Sequence, residues 1–84
     1  MSWIEFIAEG AICKEAIEKA LPEMREEYGD IDRREITETI GERLFERQRE
    51  LRDGRPLGLD YNSDSDLINR LASEVPDMYR GSIK

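Results

Sequence analysis

Tyr28-Gly29-Asp30-Ile31-Asp32-Arg33-Arg34-Glu35-Ile36 holds one helix ending and one helix beginning. Gly29 follows an apolar-periodic run and is the residue type that closes helices in the left-handed conformation. Asp32 and Glu35 have the spacing of a capping box. The Asp32 carboxylate accepts an orphan amide hydrogen of the first turn, and Glu35 reaches back to the Asp32 amide. Ile31 and Ile36 bracket the box as a hydrophobic staple, which sets the angle at which the chain enters the new helix.

Downstream, the spacing predicts a helix over about 33–53, closed by Gly54. Ile36, Ile40, Leu44 and Leu51 form its apolar stripe, with Arg47 in the remaining slot on that face. Gly41 inside this helix costs about 1 kcal/mol relative to alanine, so a close crossing with another helix is expected there. Phe45 lies on the flank of the stripe. Arg55 to Asn62 reads as a loop punctuated by Pro56 and Gly58, with Leu57, Leu59 and Tyr61 tucked over the core. A last helix over 64–75 starts at Ser63 or Ser65 and buries Leu67, Ile68, Leu71, Ala72 and Val75. Pro76 ends or bends it, with at most one further turn through Met78 and Tyr79 and a loosely ordered tail.

Upstream, Ser2-Trp3-Ile4-Glu5 is a second capping box, so the first helix starts almost at the first residue and covers about 2–20. The apolar residues of 3–11 and those of 12–28 lie on faces rotated by more than a quarter turn. Gly10 sits where the two faces meet. Either the chain breaks or kinks at Gly10, which is the reading adopted here, or one long helix is buried on two sides with Gly10 admitting another backbone. Pro22 adds a kink or the start of a short new helix. No segment alternates as a strand does. The expected fold is all-α, a small bundle of three to four helices forming a single domain over 1–84.

Composition narrows the chemistry. Hydrophobic residues make up 38% and charged residues 39% of the 84 positions, a balance close to that of disordered chains. The periodic placement of the apolar residues argues instead for a packed core. A net charge of −7 repels phosphate backbones and anionic headgroups, so neither nucleic acid nor membrane is an expected partner. The single cysteine, Cys13, leaves no intrachain disulfide or thiolate cluster, and it reads as a buried hydrophobe. With no histidine, the commonest general acid–base group and zinc ligand is missing. The start of the chain lacks the basic and apolar pattern of a signal peptide, and no stretch reaches the roughly 20 apolar residues of a membrane span. A cytoplasmic protein without cofactor or metal is expected.

Three constellations remain. Asp60, Asn62 and Asp64 match the opening of a calcium-binding loop, but Ser65 stands where the turn glycine belongs and Leu71 where the bidentate glutamate belongs. An acidic N-cap cluster, at most a weak calcium site, is the reading. Glu38, Glu42, Glu46 and Glu50 recur every four residues and form a ridge opposite the apolar stripe. That ridge is either a solvated face or a docking ridge for a basic surface. Trp3, Phe6 and Phe45 exceed what a three-helix core readily covers and form either core or an interface patch. Glu23, Glu26, Glu27 and Asp30 contain one acidic pair of the kind that holds magnesium in helical pyrophosphohydrolases, without the second pair such sites need.

The expectation is a non-enzymatic acidic interaction module, acting as inhibitor, adaptor or regulatory subunit on a larger, partly basic protein. Small inhibitors encoded by viruses and mobile elements often share this profile. The alternatives are a self-assembling homo-oligomer, from a homodimer upward, and an acidic mimic of nucleic acid.

Overall fold

A computed structural model describes the backbone of residues 3–52 and 61–83, and the side chains of 10–52 and 65–83. Three helices follow one another: α1 (Trp3–Tyr28), α2 (Arg33–Arg52) and α3 (Tyr61–Ser82). Each packs on both others in an elongated body of 36 × 22 × 17 Å. The fold is an all-α bundle, as expected from the periodicity.

In the α1–α2 turn Gly29, Asp32 and the isoleucine staple take their expected roles, but among the described residues Glu35 does not return a bond to the Asp32 N–H, so the capping box is half formed. Gly29 adopts φ 81°, and its N–H donates to the Arg25 carbonyl at 2.9 Å, closing α1. The Glu35 N–H donates to Asp32 Oδ1 at 2.8 Å, so Asp32 caps α2. Ile31 and Ile36 are both buried, as a staple requires. Arg25 Nε donates to the Ile31 carbonyl at 3.2 Å, tying the end of α1 across the turn.

The core is one apolar cluster. α1 contributes Ile12, Cys13, Ala16, Ile17, Ala20 and Met24; α2 contributes Ile36, Ile40 and Leu44; α3 contributes Leu67, Ile68, Leu71, Val75, Met78 and Tyr79. The small residues Ala16 and Ala20 let α1 lie close to its neighbours. Burial of Leu and Ile side chains contributes about 1.5–3 kcal/mol each, which outweighs the propensity costs below.

Several expectations need correction. α1 does not break at Gly10, and its helical assignment runs unbroken through Pro22. Pro22 is exposed, so the carbonyl it leaves without a helical donor faces water, and the packed face keeps the helix intact. α3 starts at Tyr61, earlier than the expected serine caps, and passes Pro76 to reach Ser82. The proline penalty of about 3 kcal/mol is met by burial of Met78 and Tyr79 beyond it, at about 1.5–3 kcal/mol each. The segment expected to be a loose tail is therefore the last turns of a core helix. Gly41 does not mark a close crossing. A Cβ there would meet Thr37 Cγ2 of the same helix at 3.4 Å. Gly54, Leu57 and Leu59 lie outside the described residues.

Candidate docking face

The glutamate ridge on α2 is not a single strip. Each step of four residues advances about 40° around a helix, so three steps carry the ridge about 120° across the outer surface. Glu38 and Glu42 line a groove between α1 and α2, whereas Glu46 and Glu50 line a second groove between α2 and α3. The expectation of one ridge opposite the stripe is corrected accordingly.

The charges differ in how they are held. Glu38 pairs with Arg34 at 3.4 Å, and Glu50 with Arg47 at 3.0 Å. Glu42 and Glu46 are exposed and form no ion pair with the described residues. They stand on either side of Phe45 in sequence. Phe45 is half-buried against the core, with the Arg49 guanidinium 4.8 Å from its ring centroid. Trp3 and Phe6 lie on α1, and their side chains fall outside the described residues.

The α2–α3 groove, about 470 Å³, is held by a clamp rather than an open site. Arg47 does not fill the apolar slot expected of it. Its Nε donates to Glu74 Oε1 at 2.7 Å and its Nη2 to Glu74 Oε2 at 3.2 Å, a bidentate pair between helices. Arg70 Nε adds a donor to Glu74 Oε2 at 2.9 Å. The Arg47 guanidinium, with help from Arg70, holds the Glu74 carboxyl below its ordinary range against partial burial. Hydrogen bonds to Glu74 and Glu50 in turn push Arg47 up. Nearer the C-terminus of α3, Arg80 Nη2 donates to Glu27 at 2.9 Å, and Tyr28 packs edge-on against Tyr79 at 5.0 Å. The Tyr28 hydroxyl and Arg80 lower the Glu27 carboxyl, and that hydrogen bond raises Tyr28.

The residue in the core slot is Gln48, fully buried, with neither its amide nitrogen nor its oxygen hydrogen-bonded. The series Ile36, Ile40, Leu44 continues by fours to Gln48, so the sequence carried the signal; its polar identity concealed it.

The α1–α2 groove differs in character. It encloses about 750 Å³ over the buried side chains of Cys13 and Ile17, with Phe45 at one end and Arg33 and Arg34 at the other. Helix-interior glycines stand on both walls, Gly10 on α1 and Gly41 on α2. A Cβ on Gly10 would meet nothing within 4 Å. Neither glycine is required by packing against another helix of this chain.

Among the described residues no three carboxylate or thiol groups converge as a metal site, and no helix is long and apolar enough to cross a membrane. Asp60 lies outside the described residues, as do the side chains of Asn62 and Asp64, and Asp66 is exposed. Comparison with protein-family models, curated proteins and solved structures found no match to this chain.

Proposed function

We propose that the chain is a non-enzymatic, acidic interaction module that docks on a larger, partly basic protein as inhibitor, adaptor or regulatory subunit. One observation carries the reading: Glu42 and Glu46, exposed and without an ion pair among the described residues, flank the half-buried Phe45 on the outer face of α2. Among the described residues these carboxylates have no ion pair to give up when a foreign lysine or arginine approaches, so only their hydration opposes the contact. A net charge of −7 draws such a surface in from a distance. The half-buried ring supplies apolar area at the centre of the contact.

The test is affinity capture from the native host with wild type and with Glu42→Lys/Glu46→Lys, followed by association kinetics with the captured protein over a range of salt. The reading expects capture by wild type only, and an association rate that falls about tenfold in the variant and steeply with salt. Equal rates for both chains at every salt concentration dismiss it.

A further inference from the structure

We propose that the α1–α2 groove is a self-interface, occupied by the same groove of a second copy in an antiparallel, two-fold arrangement. The proposal does not rest on the docking reading above, but it shares Glu42 and Phe45 with it, so a second copy and a larger protein compete for that end of the groove.

Charge placement favours a second copy over any other occupant. Arg33 and Arg34 stand at one end of the groove, Lys14 and Glu38 near its middle, and Glu42 toward the other end. Arg34 and Glu42 are eight residues apart on α2, about 12 Å along its axis. A two-fold axis passing beside Glu38 therefore sets Arg34 of each copy against Glu42 of the other. Two lysines and two glutamates then surround the axis, so the centre is neutral. A purely basic occupant would meet Lys14, Arg33 and Arg34, and a purely acidic one would meet Glu38 and Glu42. An occupant with the same polarity reversed satisfies both ends, and a second copy turned end over end has that polarity.

The glycines support the same arrangement. Each costs about 1 kcal/mol relative to alanine inside a helix, and the open space above Gly10 shows no compensation among the described residues. Shallow walls at Gly10 and Gly41 let a second pair of helices approach closely over Cys13 and Ile17. Phe45 is then covered as well, which removes the half-exposed ring from water.

The experiment is sedimentation equilibrium on the full chain at micromolar to submillimolar concentration. Wild type is expected to be dimeric. Arg34→Glu and Glu42→Arg are each expected to weaken the dimer by roughly a hundredfold, about tenfold at each of two symmetric contacts. Mixing the two variants is expected to restore it, because both contacts in the mixed dimer then join opposite charges while both pure variants face like charges. Gly10→Gln supplies a second readout. It raises helix propensity where nothing within the chain obstructs it, so thermal stability at low concentration is expected to hold or rise while the dimer is lost. A wild type that is monomeric throughout the range overturns the proposal. So does a dimer indifferent to these substitutions, or one that the mixed variants fail to restore. Arg34→Glu and Gly10→Gln lie outside the Glu42–Phe45–Glu46 face, so loss of the dimer with capture of a larger protein retained tells failure of one reading from failure of the other.

Discussion

Replacing Gln48 with methionine is expected to stabilise the chain markedly. The side chain is fully buried and neither amide atom has a hydrogen-bond partner among the described residues, in the layer above Leu44 on the buried face of α2. An unpaired buried polar group costs about 1–3 kcal/mol, because its hydration is lost and nothing replaces it. Methionine has nearly the same length and volume, so it fills the site without a cavity, and its flexible thioether adapts to the surrounding walls. Removing the desolvation cost and adding apolar burial gives a gain of about 2 kcal/mol. In a domain of this size, each kcal/mol moves Tm by about 4–8 °C, so a rise of roughly 8–16 °C is expected. The assay is thermal and urea unfolding followed by helical circular dichroism, with the urea slope unchanged. Gln48→Glu is the control of opposite sign. It places a charge in the same slot, so it should be severely destabilised at neutral pH and recover as acid neutralises the carboxyl. A Gln48→Met chain no more stable than wild type refutes the reasoning, since it would mean that the amide has partners in solution.

Asp32→Ala removes the acceptor for the Glu35 amide and should cost about 1 kcal/mol in urea unfolding, with helix content otherwise retained. Gly10→Ala should add about 1 kcal/mol of stability in dilute solution, read from the same transition. Glu27 and Glu74 have carboxyl groups held below their ordinary range in the folded chain. Their contribution is therefore complete above the unfolded carboxylate pKa, about 4.3, and is lost as pH falls below it through the folded values. Tm should decline on acidification in that window, and Glu74→Gln should flatten part of the decline while lowering Tm at neutral pH.

Local rules in the sequence were legible wherever one residue type has one geometric use. Gly29, Asp32 and the Ile31–Ile36 staple marked the α1–α2 turn, and the fourfold spacing of Ile36, Ile40 and Leu44 gave the buried face of α2. Breakers were read too strongly. Pro22 and Pro76 carry penalties of about 3 kcal/mol, which burial of Met24 beyond the one and of Met78 and Tyr79 beyond the other offsets, and a one-dimensional reading has no access to that burial. Gln48 is hidden in the sequence because a polar residue ordinarily signifies exposure. The glutamates were placed on the correct helix, but the slow rotation of a fourfold series divided them between two grooves. The ridge glutamates with ion pairs find them within α2, Glu38 at Arg34 and Glu50 at Arg47, while Arg47 also reaches Glu74 of α3 across 27 positions of sequence.

Pro22 and Pro76 fall at nearly the same height in the bundle. α1 and α3 run in the same direction, with Tyr28 beside Tyr79 and Glu27 beside Arg80. Each proline withholds an amide from the turn beneath it, so the two ladders are notched together, and the ends past the notches are held by the buried Met24, Met78 and Tyr79, the Arg80 bridge and the Gly29 corner. Amide protons of that end should trade with deuterium as one block, ahead of the middle of α2, which carries no such notch. The molecule would then open from its glycine corner like a hinge-ended clasp, while the Leu44 layer stays shut.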